Sequence, residues 1–200
     1  MALHSARIAG TVAMGLARRR ASPPPPGLAL PHVYSARAGW LDLDPYLHLN
    51  NTAYLLHAEL ARWNLFAYSG LLAFVARRRL VFLVTNSAIS YRSPIGPWKP
   101  FEVHTQLAEV DERQITLMHT FVTKSGRRVA HNVVSARVMD ASTGSLLEPM
   151  SLLVEAAGHV PPEPELSEDE VEVLYRFREL STAMRSATSS RSIGDKVRRS

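Results

Sequence analysis

Between Asp42 and Tyr54 the chain reads Asp42-Leu43-Asp44-Pro45-Tyr46-Leu47-His48-Leu49-Asn50-Asn51-Thr52-Ala53-Tyr54 and packs carboxylates, an imidazole, amides and hydroxyls into one short stretch. Such a set can act on an acyl carbon. A carboxylate can attack that carbon or take a proton from the water that does. A helix beginning near Thr52 would aim unpaired N–H groups at the oxygen that becomes negative. Each residue also has a plainer use. Asp44-Pro45 is an ordinary turn starter, and Asn50 or Asn51 can cap a helix. His48 can orient a carbonyl or Asp44, or it can fix the loop by bonding the backbone. Further on, Glu59 can face a pocket as a carboxylate or pair with Arg62 three positions later. Asp42 reads as structural.

These residues must be positioned by the elements around them. His32 to Leu41 suits a short strand, ended by Asp44-Pro45. From about Thr52 to Tyr68 apolar residues recur at helical spacing, with Leu56, Leu60 and Trp63 on one stripe extended by Ala53 and Ala67. Leu55, Leu65 and Phe66 widen that surface, so the helix is expected to be buried on most sides, and Ser69-Gly70 stops it. Leu71 to Arg78 is a second short helix. Four strand-like runs follow, at about 79–92, 101–111, 114–124 and 128–140, with turn signals between them. Leu146 to Glu155 is expected to add a last short strand. One helix followed by consecutive antiparallel strands is an α+β arrangement.

The 200 residues, 46% hydrophobic and 20% charged, describe a soluble globular protein, and the lack of cysteine removes disulfides, thiolate metal sites and cysteine nucleophiles. The net charge of +5 is not spread over the fold. Residues 1–41 hold five arginines and no acid, and the remaining 18 basic residues match the 18 acids. That distribution argues against a nucleic-acid-binding surface. No apolar run reaches the roughly 20 residues of a membrane span. Residues 1–20 are Arg-bearing and acid-free, and Leu3, Ile8, Val12 and Leu16 share a helical face, a pattern that resembles a mitochondrial presequence. Pro23 to Pro26 form a stiff spacer, so folded structure is expected to begin near Pro31 to Ala36. At the other end, Ser167-Glu168-Asp169-Glu170 is a capping box opening an amphipathic helix, and residues 186–200 have a disordered composition. Arg77-Arg78-Arg79 and Arg127-Arg128 are candidates for phosphate contacts as well as solvated surface. His104, His119 and His131 lack ligand spacing, so no metal site is expected.

The stretch from Asp42 to Tyr54 resembles the signature D-x-D-x-x-x-H-x-N-N-x-x-Y of hotdog-fold thioesterases of the 4-hydroxybenzoyl-CoA thioesterase lineage. Glu59-Leu60-Ala61-Arg62, Ile89 to Pro94 and Asp140 to Gly144 continue the match in the family's order. Pro100-Phe101-Glu102-Val103 and the C-terminal extension are most similar to the branch called thioesterase superfamily member six. The resemblance implies a single hotdog domain over 34–158, an antiparallel sheet wrapped around a long central helix. A targeting sequence and Pro-rich linker (1–33) would precede it, and an acidic linker, amphipathic helix and tail (159–200) would follow. It further implies Asp44, His48 and Glu59 as catalytic candidates and Asn50, Asn51, Thr52 and Tyr54 as substrate-binding candidates. The substrate would be an acyl thioester of CoA or an acyl carrier protein, with CoA or phosphopantetheine as part of the substrate and no other cofactor. The resemblance also implies a homodimer or a heterodimer of hotdog subunits. The chain departs from the pattern at Tyr46-Leu47, where active relatives often have glycine. The alternative expectation is a hotdog homologue without turnover, an accessory subunit of a mitochondrial assembly.

Overall fold

The computed structural model describes residues 2–24, 31–161 and 163–197, with side chains up to residue 184. Pro25 and Pro26 of the expected spacer, and 198–200 of the expected tail, lie outside the described residues. Two units separate, Met1–Glu165 and Leu166–Ser200.

In the first unit the order is α1 (Ala2–Ala21), β1 (His32–Arg37), a 3-10 turn (Trp40–Asp42), α2 (Asn51–Ser69), α3 (Leu71–Arg77), β2 (Leu80–Tyr91), β3 (Pro100–Val110), β4 (Ile115–Thr123), β5 (Arg128–Asp140), β6 (Leu146–Leu147) and α4 (Pro149–Ala157). One antiparallel sheet runs β1-β3-β4-β5-β2, with two-residue β6 pairing beside β5. Helix α2 lies across this sheet as the long central helix of a hotdog fold. Asn50 caps it by accepting the Thr52 N–H at 2.8 Å, and Gly70 ends it at φ 87°, a left-handed position suited to glycine. Ala53, Ala58, Leu60 and Ala61 of α2 share one core cluster with Phe101, Val103, Phe121 and Val129 of the sheet. Full burial of side chains such as Leu60, Phe101 and Phe121 contributes about 1.5–3 kcal/mol each. A second cluster, around Phe74, Leu107, Val138, Leu152 and Leu153, lies under α3 and α4.

Two expectations change. Leu146 to Glu155 is not a strand beyond Leu147, because Glu148 accepts the N–H groups of Met150 and Ser151 (3.0 and 2.8 Å) and Pro149 sits at a helix start, where its missing N–H costs nothing. Folded structure also begins well before Pro31. Helix α1 runs parallel to α2, with successive contacts Arg7–His57, Thr11–Asn64, Gly15–Ala67 and Arg19–Tyr68. The docked face takes in only part of the predicted apolar stripe: Ile8 and Val12 are half-buried, and Ile8 packs against the core cluster. Thr11 and Gly15 are buried, whereas Leu3 and Leu16 are exposed. The reason is distance: a Cβ on Gly15 would come within 2.8 Å of both Ala67 Cβ and the Asn64 carbonyl, so only a small residue admits the approach. Asn64 ties the layers together, donating to the Thr11 carbonyl (2.9 Å) and meeting His32 Nε2 through its Oδ1 (2.9 Å).

The two edges of the sheet differ. On β1, Arg18 of α1 donates to the Val33 carbonyl at 3.0 Å. On β2, Val81, Leu83, Val84 and Tyr91 are exposed.

The second unit holds α5 (Glu168–Val197). Glu170 accepts from the Ser167 N–H and hydroxyl, both at 3.0 Å, which is the expected capping contact. The helical backbone continues past Met184, where the apolar face read from the sequence ends.

Candidate functional site

The loop before α2 is a small closed hairpin. Leu43 and Leu49 bridge, and the Asp44 N–H donates to the His48 carbonyl at 2.9 Å. Leu49 and Asn50 anchor it below, their N–H groups donating to the Ile95 and Asp42 carbonyls (2.8 and 2.7 Å). At its tip Tyr46 and Leu47 are exposed, and Leu47 has φ 59°. A branched side chain in the left-handed region carries about 1–2 kcal/mol of strain. That strain sits in the stretch where active relatives often have glycine.

The two aspartates of the motif occupy opposite environments. Asp44 is half-buried, and its Oδ1 accepts the N–H groups of Tyr46 (2.9 Å) and His48 (3.1 Å), the turn-forming use of an aspartate. Its Oδ2 has no partner among the described residues. Asp42 is buried and charged. It meets Arg7 Nη1 at 2.7 Å, the Gly39 N–H at 3.1 Å and His57 Nε2 at 3.3 Å. Burial pushes the Asp42 carboxyl up, but the contacts with His57, Arg7 and Gly39 outweigh it and hold the group well below the usual carboxylate range. Arg7 Nη2 also lies 3.3 Å from His57 Nε2, so that nitrogen serves either Arg7 as an acceptor or Asp42 as a donor. His57 Nδ1 is buried with no partner among the described residues.

The remaining candidates spread along α2. Asn50 is the cap. Asn51 and Thr52 are exposed on the first turn. With Asn50 bonding Asp42, Thr52 bonding the cap and Ala53 bonding the Asn50 carbonyl, the Asn51 N–H is left without a partner among the described residues. Tyr54 is buried between Tyr91 and Phe121 (ring centroids 5.1 and 5.0 Å), and burial pushes its hydroxyl up to about 12. The His48 side chain is exposed, while its backbone closes the loop. Glu59 stands two turns on, about 12 Å along the helix axis from Asn51. The structure therefore groups Asp44, His48, Asn50, Asn51 and Thr52 at one end of α2 and separates Glu59 from them.

Glu59 instead borders a cavity of about 440 Å³. Its walls come from the second half of α2, α3, the start of β2, the sheet and α4, and Glu59 and Arg62 are their only charged residues. Asp44 is not among the lining residues. Glu59 makes no ion pair with Arg62: its Oε1 lies 3.5 Å from Trp63 Nε1 and 3.6 Å from His4 Nε2. Arg62 Nη1 meets His119 Nε2 at 3.2 Å. His119 is fully buried, and burial together with the Arg62 charge holds its pKa well below the ordinary histidine value. A guanidinium only donates, so Nε2 accepts and the Nδ1 proton goes to Thr105 Oγ1, 2.9 Å away.

Sequence reasoning passed over Arg7 and His57, took Arg62 only as a partner for Glu59, and took His119 only as a sheet histidine. His57 and Arg62 carried a signal, being polar residues inside a helix read as buried on most sides. Arg7 lay in the stretch read as targeting. Of the other sheet histidines, His104 Nε2 meets Glu102 (2.8 Å) and His131 Nδ1 meets Thr120 Oγ1 (3.2 Å), a contact that serves one of its two ring nitrogens, and no metal-holding group occurs among the described residues. In the first basic cluster Arg78 pairs with Glu155 at 3.3 Å and Arg77 lies over Phe74.

Comparison with known proteins agrees with the fold. The model of the thioesterase-like superfamily matches residues 38–184. Protein THEM6 of Xenopus laevis is 31% identical over 96 residues, 48% of this chain and 42% of its own length. The THEM6 of Drosophila melanogaster is 30% identical over 106 residues, 50% of this chain and 55% of its own. The chain thus spans about half the length of these relatives. The long-chain acyl-CoA thioesterase FadM of Escherichia coli is 27% identical over 106 residues, 52% of this chain and 80% of its own. Among solved structures, the probable thioesterase YbaW of Escherichia coli superposes with a TM-score of 0.59 at 25% identity, covering 62% of this chain and 95% of that one.

Proposed function

Because the chain belongs to the thioesterase-like superfamily, we propose that it hydrolyses an acyl thioester of CoA or of an acyl carrier protein, with Asp44 as the reacting carboxylate. The observation that carries this reading is the juxtaposition of Asp44 with the first turn of α2, where the Asn51 N–H has no partner among the described residues. Two N–H groups hold Asp44 Oδ1, which fixes the carboxylate and leaves Oδ2 to take a proton from water. That water bonds to the carbonyl carbon, the oxygen becomes negative against the Asn51 N–H, and the C–S bond breaks as the thiolate takes the proton back. Asn50 and Thr52 shape the turn, and His48 stands beside it. FadM, a relative named for long-chain acyl-CoA, supports this substrate class.

Two further parts of the reading concern assembly and address. The bare β2 edge, with its exposed Val81, Leu83 and Val84, suits pairing with a second copy or another hotdog subunit. Light scattering at micromolar concentration is expected to give a dimer; a stable monomer would contradict it. Residues 1–35 fused to a reporter are expected to direct it to mitochondria, and a cytosolic or secreted reporter would contradict that. Since α1 also docks on α2, the helix is expected to stay with the folded protein.

A second reading, an accessory subunit without turnover, is favoured by two observations: the cavity does not include Asp44, and a bulky Leu47 holds a left-handed φ of 59° in the aspartate loop. Assaying a panel of saturated acyl-CoA and acyl-carrier-protein thioesters separates the two. Hydrolysis of any member supports the enzyme, and inactivity on all of them supports the accessory subunit.

A further inference from the structure

We propose that the cavity beneath α3 and α4 is a fatty-acid-binding site in which Arg62 receives the carboxylate. At about 440 Å³ its volume lies in the range of roughly 300–1,000 Å³ typical of small-molecule sites. Its walls are apolar apart from Glu59 and Arg62, with Phe66, Phe74, Phe82, Leu107, Leu117 and Leu153 offering surface to an aliphatic chain. A nucleotide or sugar would leave its polar groups unpaired there.

The head group follows from the charge on Arg62. Its guanidinium gives Nη1 to a neutral imidazole, His119, which cancels no charge, and it forms no ion pair among the described residues. Glu59 acts on it only at a distance, with its carboxylate turned to Trp63 and His4. The Nε and Nη2 donors have no partner among the described residues. An unpaired guanidinium in an apolar wall is costly, and a planar carboxylate matches its fork of donors. One carboxylate on one aliphatic chain satisfies both the wall and the cation.

This site stands apart from hydrolysis at Asp44. Arg62 is about 16 Å along the α2 axis from Asn51, and an acid can occupy the cavity whether or not a thioester is cleaved.

Calorimetric titration of the full chain with dodecanoate and with dodecanol tests the proposal. Wild-type protein is expected to bind the acid roughly 10-fold or more tightly than the alcohol, because a charge-assisted contact is added to the same chain burial. Arg62→Met should bring the acid down to the alcohol's affinity. Glu59→Gln should tighten the acid alone, by removing a like charge. Ala136→Leu, which adds bulk to the sheet wall of the cavity and leaves the Arg62 charge in place, should weaken both ligands together. If Arg62→Met does not fold, the acid-to-alcohol ratio in wild type and the Ala136→Leu response still decide the matter. No binding, equal affinity for acid and alcohol, or indifference to Ala136→Leu would overturn it. Acid binding without thioester hydrolysis would leave this site standing and sink the proposed activity, and hydrolysis without acid binding would do the reverse.

Discussion

Helix α2 has charge at both ends of its buried length, and the two ends treat that charge differently. Near its start, Asp42 is enclosed but fully answered by Arg7, the Gly39 N–H and His57. Eleven residues beyond Asn51, Arg62 lines an apolar cavity with a neutral histidine as its hydrogen-bond partner. Charge answered from within the chain fixes structure, and here it pins α1 and the aspartate loop to α2. Charge left unanswered beside an apolar cavity calls for something from outside. The same contrast divides the motif's aspartates: Asp42 is consumed by the fold, and Asp44 keeps one oxygen without a partner among the described residues.

The contrast breaks most visibly at Asp42. Asp42→Asn removes the charge that offsets half-buried Arg7, so stability should fall by about 2–3 kcal/mol, read as a lower denaturant midpoint. If the midpoint hardly moves, the triad is not what holds α1 in place.

Next comes His119. Its folded-state pKa is depressed, so the unfolded chain binds a proton that the folded chain refuses. Stability is then fully present above about pH 6.5 and falls as pH drops below it, by about 1.4 kcal/mol per pH unit for this one group. His119→Gln should flatten that part of the pH profile; an unchanged slope between pH 6.5 and 5 would assign it to other histidines.

Gly15→Ala tests the docking of α1 more gently. Helix propensity alone would favour alanine by about 1 kcal/mol, but two contacts at 2.8 Å force α1 and α2 apart. We expect a net loss of about 1–2 kcal/mol by thermal melting. A gain would mean that α1 is only loosely held.

The smallest effect is at Leu47. Glycine relieves the left-handed strain but makes the unfolded loop more flexible, and the two nearly cancel to within about 0.5 kcal/mol. Its informative readout is turnover. A rise in Leu47→Gly with unchanged melting would show that the side chain obstructs the site.

Much of this was legible beforehand, for identifiable reasons. Runs rich in Val, Ile, Leu, Phe and Thr and the turn signals at 111–113 and 124–126 placed β2 to β5 within a residue or two, and Asn50 and Gly70 marked both ends of α2. Periodicity misled where small residues decide the packing. On α1 half of the apolar stripe, Leu3 and Leu16, stays in solvent while Thr11 and Gly15 are the residues buried against α2, because close helix approach rewards lack of bulk, which hydropathy does not score. At 146–155 the apolar run hid a helix whose cue was Glu148-Pro149. The motif brought Asp44, the cap and the first turn together in one loop. It gave no sign that Glu59 borders a different region, since 12 Å of helix separates residues that read as one signature. Arg7 was beyond reach, because no local rule ties residue 7 to residue 42.

The most direct test of the account compares steady-state hydrolysis by wild type, Asp44→Asn and Asp42→Asn on the best thioester of the panel, with melting curves for each. Asp44→Asn keeps the turn's hydrogen bonds but loses the charge, so turnover should fall roughly 10²-fold or more with the melting temperature unchanged. Asp42→Asn should melt lower yet, below its own midpoint, retain most of its turnover. Full activity in Asp44→Asn, or an equal loss of turnover at both positions in folded protein, would contradict the assignment of Asp44 as the reacting carboxylate.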